Sequence, residues 1–277
     1  MDYLSSVVEL LNGEGVTWFA DDAPTPRDVK YAVLHLQAAA EVLLKARLLR
    51  EHWSLVFKDP GQASERRFRE GDFETCGTDE TVRRLRSIAG VAISEADQRA
   101  LKALAKDRNA LQHYGLSLSA PAVEARAGSV LDFLVRFLDE ELRPGLAPGE
   151  EHEIGTDLDR VRQGVLGIDA FVVQRTKRVH GELTENGQAN RAVRCPECYV
   201  AALVVEPGSN RCHFCGRSYP DASLLARGDP WRSEPDPLTC SECQEPTARK
   251  GVSFLDDPTT LYLFCYACAA RKPCSTT

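Results

Sequence analysis

Four short stretches decide how this chain divides: Cys195-Pro196-Glu197-Cys198, Cys212-His213-Phe214-Cys215, Cys240-Ser241-Glu242-Cys243 and Cys265-Tyr266-Ala267-Cys268. Each places two thiols three positions apart, the spacing at which one tight turn aims both sulfurs at a single ion. Residues 199–211 separate the first two stretches and residues 244–264 the last two, in each case enough chain for a β-hairpin that brings one turn against the other. Sequential pairing is expected in preference to interleaved pairing, because each half holds its own hairpin signal. Cys195, Cys198, Cys212 and Cys215 are expected to bind one structural Zn2+, and Cys240, Cys243, Cys265 and Cys268 a second. His213 lies inside a turn and is not expected to be a ligand. Of the ten cysteines, Cys76 and Cys274 are left over as free thiols.

Zinc corrects the charge. The formal net charge is −7, and each four-thiolate site with its dication adds two negative charges, so the metal-loaded chain lies near −11. Such a chain is no general nucleic-acid binder, and any contact with RNA must use a local patch. Residues 186–277 hold ten Lys/Arg and ten Asp/Glu, so the cysteine-rich half is not basic. The run Cys195-Pro196-Glu197-Cys198, a strand, a turn and Cys212-His213-Phe214-Cys215-Gly216 resembles a zinc ribbon. Metal there substitutes for a core too small to build otherwise. A protein partner or antitoxin is the further expectation for the ribbons.

Upstream, the periodicity is helical. Val29, Val33, Leu36, Ala40 and Leu43 recur at helical spacing from Thr25 to Trp53, with Pro26 at the start and a wide apolar face that predicts a buried helix. Further helices are predicted over 78–89, over 95–114 behind a Ser94/Asp97 capping box, over 119–142 and over 157–183. Short β-prone runs appear after Asn186, at 201–205, 252–255 and 260–264. The fold class is therefore multidomain, an all-α bundle plus two small β-rich zinc modules. The division expected is a helical domain at 1–145, a connector and long helix at 146–185, a first ribbon at 186–220, a linker at 221–239 and a second ribbon at 240–277. The longest uncharged run, Asn109–Val123, is fifteen residues with several polar side chains, so no membrane span is expected. No Lys or Arg precedes Arg27, so the early positive charge of a secretory signal is missing and a cytoplasmic location is expected.

The helical half carries one constellation with chemistry in it. In Lys106-Asp107-Arg108-Asn109-Ala110-Leu111-Gln112-His113-Tyr114, Asn109 and His113 share a helical face and the long Arg108 side chain lies near enough to curl onto it. An imidazole that moves a proton and a guanidinium that holds negative charge suit attack of an RNA 2′-hydroxyl on its adjacent phosphate, without a catalytic metal. Arg-x4-His also occurs as Arg47/His52, where Leu follows the Arg on an apolar helix, and as Arg175/His180, on what reads as a solvated face. The middle pair is set apart by Asn109. Clusters Arg66-Arg67-Arg69 and Arg83-Arg84-Arg86 could form a basic stripe, although residues 62–115 balance ten Lys/Arg against nine Asp/Glu.

Arg108 to His113 resembles the Arg-x4-6-His motif of the HEPN superfamily, in which a polar residue commonly follows the Arg. The helix Val33–Arg47, with Glu41 and Lys45 one turn apart, is similar to the long core helix of that family. The resemblance covers about residues 1–145. It implies a helical bundle that dimerises so that two motifs face one cleft, and in many members a metal-independent endoribonuclease of toxin, antiviral-defence or RNA-processing type. Other members only bind or scaffold, which makes a non-catalytic interaction or RNA-binding protein the alternative. On this reading Arg108, Asn109 and His113 are catalytic, with Glu41, Lys45 and Tyr114 as possible supporting residues. The chain departs from a subgroup that has Tyr two residues after the His, since Gly115 stands there and Tyr114 adjoins His113.

Overall fold

The computed structural model describes residues 1–12, 24–114, 120–227 and 236–274. Backbone contacts divide the chain into two units, Met1–Gln174 and Arg175–Thr277. The first is helical, and its single β pairing among the described residues is a bridge between Phe57 and Thr75. The second holds two three-stranded antiparallel sheets.

The first unit is organised by α2 (Pro26–Glu51), which packs against α1 (Asp2–Asn12), α4 (Thr78–Ser87), α5 (Glu95–Asn109) and α6 (Ala120–Phe137). Its start is set locally. Pro26 occupies the first turn, where no N–H is needed, the Asp28 amide donates to Thr25 Oγ1 and the Thr25 amide returns a bond to the Asp28 carboxylate. Val33, Leu36, Ala40, Leu44 and Leu48 are buried, so burying this helix from several sides creates most of the unit's core. The polar Gln37 is also buried and donates to Thr78 Oγ1 at 3.0 Å, tying α2 to the first turn of α4.

Arg84 does comparable work in α4. Only 4% exposed, it donates to the carbonyls of Leu55 and Phe57 at 2.6 Å each and of Lys58 at 3.0 Å, while its Nε bonds Glu80. Carbonyls of the loop after α2 that lie outside its bridge to Thr75 are thereby satisfied by one guanidinium. Trp53, Phe57, Phe68 and Phe73 close the same region, Phe57 and Phe73 stacking at 4.1 Å. Hydrogen bonds from Arg83, joined by Arg84, hold the Glu80 carboxyl down at about 2.

One predicted helix is two. In place of a single helix over 157–183, α7 (Pro148–Gly164) begins earlier, on Pro148, and gives way through a 3-10 turn at Val165–Gly167 to α8 (Asp169–Glu185). The break lies where α1 crosses. A Cβ on Gly164 would stand 2.2 Å from Val8 Cγ1, and Asn12 Nδ2 donates to the Gly164 carbonyl at 2.9 Å. The crossing of α6 on the start of α8 is tighter still in backbone terms, since a Cβ on Gly128 would lie 2.6 Å from the Ala170 carbonyl carbon. No described helix is long and apolar enough to cross a membrane.

In the second unit β1 (Ala192–Arg194), β2 (Ala201–Glu206) and β3 (Ser209–Cys212) form one sheet in that order, and β4 (Ala248–Val252), β5 (Tyr262–Cys265) and β6 (Arg271–Pro273) form the other. Arg175, expected on a solvated face, is instead 7% exposed. Its Nε donates to the Phe214 carbonyl at 2.7 Å and its guanidinium lies over the Phe214 ring, so it binds the later turns of α8 to the first sheet. The stretch 221–239 contains a short helix, α9 (Ala222–Arg227), whose Leu225 and Ala226 are buried, and Arg249 donates to the Ala226 carbonyl. Residues 228–235 lie outside the described residues. The sheets also touch directly. Val193 pairs with Phe254, the Leu255 amide donates to the Ala192 carbonyl, and Arg271 lies over the Phe254 and Tyr262 rings while donating to the Asn190 carbonyl.

Two stability outcomes follow. Gly128→Ala forces backbone apart and is expected to lower the unfolding free energy of the helical unit by about 2–3 kcal/mol. Gly155→Ala, in open space within α7, should raise it by about 0.5–1 kcal/mol. Urea unfolding followed by circular dichroism distinguishes the two. Glu80 supplies a pH signature: its folded value lies below its unfolded value of about 4.5, so its contribution is present above that pH and is lost as pH falls toward about 2. Glu80→Gln should therefore be less stable than wild type at neutral pH, with the difference closing over that acidic window.

Candidate metal centres and the α5 motif

The eight cysteines form two clusters, Cys195/Cys198/Cys212/Cys215 and Cys240/Cys243/Cys265/Cys268, within each of which all sulfurs lie within 4.8 Å of one another. Across the turns Cys195 and Cys215 are 3.8 Å apart and Cys198 and Cys212 3.7 Å, and the pairs Cys240/Cys268 and Cys243/Cys265 are each 3.7 Å apart. With Zn–S near 2.3 Å, a regular tetrahedron has S–S edges of about 3.8 Å. The described donors therefore fit one four-coordinate zinc per cluster, with sequential pairing. His213 is exposed and belongs to neither set.

The backbone builds this geometry the same way four times. After each Cys-x-x-Cys the next residue, Tyr199, Gly216, Gln244 or Ala269, adopts positive φ of 59° to 76°. Its amide donates to the carbonyl of the first cysteine, whose own amide donates to the residue five positions later. Only one of the four is glycine. Three side chains thus accept a conformation that costs roughly 1–2 kcal/mol each, which the metal and the surrounding pairing must offset.

Charge explains why a cation belongs there. In the first cluster the neighbouring thiols bond Cys195 and hold it well below the usual thiol range, while Cys198 and Cys212 are pushed up, first of all by their hydrogen bonds with Cys195. In the second, burial works against the Cys265 thiolate but the Thr247 hydroxyl and the amides of Cys268 and Ala267 outweigh it, leaving about 7, whereas burial pushes Cys268 up to about 12. Four sulfurs this close cannot all ionise without a dication. Second-layer partners are in place: Tyr219 Oη stands 3.6 Å from Cys195 Sγ, Thr247 Oγ1 3.2 Å from Cys265 Sγ, and the Glu242 amide donates to Cys240 Sγ. One buried cluster of the second ribbon consists of Cys240, Ala248 and Cys265 with Cys243 and Cys268 packed on it, so the ligands themselves build this part of the core, beside the buried Phe254 and Phe264.

The α5 motif is partly described. Arg108 Nη1 donates to Asn109 Oδ1 at 2.9 Å, Asn109 is exposed, and the preceding Asp107 is buried and paired with Arg126 on α6. At Ala110 the helix leaves α geometry for a π turn, Ala110–Tyr114. The backbone of His113 and Tyr114 closes that turn; their side chains, and residues 115–119, lie outside the described residues. Glu41 pairs with Lys45, which also donates to Thr75 Oγ1, and neither bonds Arg108. Arg47 is engaged by Glu51 and Glu141.

The arginine clusters do not form a free basic stripe. Arg66 pairs with Glu70, Arg69 with Glu65 and Arg83 with Glu80, Arg67 caps the Asp72 carbonyl, and Arg84 is buried. Helical i,i+3 and i,i+4 spacing to acidic residues, legible in the sequence, accounts for most of this pairing. Comparisons with protein-family models, with curated proteins and with solved structures find no match.

Elemental analysis should find two zinc ions per chain, and Cys→Ser changes at the four positions of one cluster should remove one. Because ligand thiols release protons on binding, zinc affinity should fall as pH is lowered. Ala269→Gly relieves the left-handed strain and should raise the chelator concentration needed to strip the second site, corresponding to about 1 kcal/mol. Stripping zinc should unfold the sheets while most of the helical far-UV signal persists.

Proposed function

We propose that the chain is an endoribonuclease of toxin or antiviral-defence type, working as a homodimer through its helical unit. The observation that carries this reading is the change from α to π geometry at Ala110–Tyr114, immediately after Arg108 and Asn109. Such turns are rare and recur at functional sites, because they re-aim side chains that a regular helix would send elsewhere. Asp107, buried against Arg126, fixes the end of α5 from behind, and Arg108 bonds an amide rather than a carboxylate, so its charge remains available to a phosphate.

In this mechanism His113 removes the proton of a ribose 2′-hydroxyl, whose oxygen attacks the adjacent phosphorus. Arg108 holds the negative charge that builds on the pentavalent transition state, and Asn109 positions both the guanidinium and the nucleotide. The P–O5′ bond breaks, the second copy of His113 protonates the departing 5′-oxygen, and the products end in a 2′,3′-cyclic phosphate and a 5′-hydroxyl. The two zinc ions are structural in this reading, and the ribbons offer a surface for a protein partner such as an antitoxin. The protein would act in the cytoplasm.

The neutralised arginine clusters favour a second reading, a non-catalytic interaction or RNA-binding protein, because a surface without excess positive charge attracts RNA only weakly. Purified protein incubated with single-stranded RNA in chelator separates the two. The nuclease reading expects cyclic-phosphate ends, no cutting at a 2′-deoxy position, and a loss of at least about 100-fold in His113→Ala. Unchanged cutting by that variant would overturn the assignment.

A further inference from the structure

The pairing pattern of the helical unit leaves its positive charge unevenly distributed. Arg66, Arg69, Arg83, Arg99, Arg126, Arg136 and Arg143 each have a carboxylate partner. The acidic residues of α5 are all taken: Glu95 by Arg99, Asp97 by Arg136 and Asp107 by Arg126. Lys102 and Lys106, exposed and one turn apart, have no acidic partner among the described residues, and Arg108 bonds only an amide. Lys102, Lys106 and Asn109 follow one another at helical spacing on the side of α5 opposite the buried Leu101, Leu104 and Asp107. One turn before Lys102, Gln98 accepts from Arg86, which also lacks an acid and lines an open cleft of about 770 Å³ with Ser94 and Arg136. Arg86, Lys102 and Lys106 are thus cations without an acidic partner among the described residues, and the two lysines share a face with Asn109 that leads to the π turn, whereas the half-buried Arg108 reaches Asn109 from the adjoining side of the helix.

We infer that these cations form a track for the phosphate backbone of single-stranded RNA, along which the strand is led from the Arg86 cleft to Asn109 and His113. The inference rests on the nuclease reading for its end point but not for its binding. The helix places Lys102 and Lys106 about 6 Å apart, so that each can take one phosphate while the bases remain unread. Sequence preference along the track is accordingly weak, and affinity is set by ionic strength. An acidic protein can hold RNA here because the three carboxylates of α5 itself are taken by Arg99, Arg136 and Arg126.

The test measures binding of a fluorescein-labelled 12-nucleotide oligouridylate to the zinc-loaded full chain carrying His113→Ala, by anisotropy across a salt series. Adding Lys102→Gln and Lys106→Gln removes two phosphate contacts and should flatten the log–log salt slope by about 1.4, weakening binding about 20-fold at 0.1 M salt. Arg66→Gln with Arg69→Gln removes the same charge from exposed, already paired positions and should leave slope and affinity unchanged. In the His113-containing chain the lysine changes should lower kcat/KM by a similar factor. Equal loss in both pairs of variants, or none in either, overturns the track. Cutting that persists with an unchanged salt slope refutes the track and leaves the nuclease standing, whereas RNA bound with the predicted slope but never cut keeps the track and refutes the nuclease. Wild-type protein that neither binds nor cuts RNA removes both.

Discussion

Four sulfurs 3.7–3.8 Å apart across each pair of turns are the constraint on which the second unit depends. Thiols brought this close repel as soon as more than one ionises, and they occupy the space that apolar side chains would fill in a larger domain. A zinc ion held by the four sulfurs would resolve both difficulties at once, since it would neutralise the thiolates and stand at the centre of the core. The left-handed residue after every Cys-x-x-Cys is a consequence. Tyr199, Gln244 and Ala269 would relax toward negative φ if the sulfurs did not have to converge. The contact between the two sheets, through Val193 and Phe254 and the reach of Arg271, then gives two minimal cores a shared layer of aromatic surface.

In the helical unit the corresponding constraint is the burial of α2. A 26-residue helix with buried positions around most of its circumference must be covered by several partners, and α1, α4, α5 and α6 take those places. Close approach is met by glycine where helices cross, at Gly164 and Gly128, and by arginine where irregular backbone must be satisfied, as Arg84 does for the loop after α2. Arginine suits this role because its planar fork donates to several carbonyls from one fixed position. The consequence for function is electrostatic. Once arginines are spent on structure and on neighbouring carboxylates, Lys102 and Lys106 remain without an acidic partner on α5 among the described residues.

The candidate site inherits its rigidity from this arrangement. Asp107 faces inward and pairs with Arg126, which orients Arg108 and Asn109 outward, and the π turn that follows redirects the chain at the point where chemistry is proposed. Arg47 and Arg175, which share the same sequence spacing to a histidine, illustrate the contrast: one is held by Glu51 and Glu141, the other is buried against Phe214.

Local rules were sufficient for much of the architecture. The Thr25 cap with Pro26, the Ser94 cap, the helical periodicity of α2 and the four cysteine spacings depend on residues within a few positions of one another, so α2, α4, α5 and α6 and the two sequential cysteine clusters were legible along the chain, whereas α1, α3 (Glu65–Glu70) and α9 were not. The edge strands β1, β3, β4 and β6 were not legible either, β4 lying at Ala248–Val252 where a strand was expected at 252–255, because runs of three to five residues become strands only when a neighbour supplies their hydrogen bonds. The same holds for the break between α7 and α8, imposed by α1, and for Arg175, whose surroundings include no sequence neighbour. The sequence by itself determined which cysteines cluster and where α2, α4, α5 and α6 begin, since those are matters of spacing. Only the tertiary structure decided which cations are spent and which stay free, because an ion pair or a buried guanidinium depends on what distant segments bring within reach.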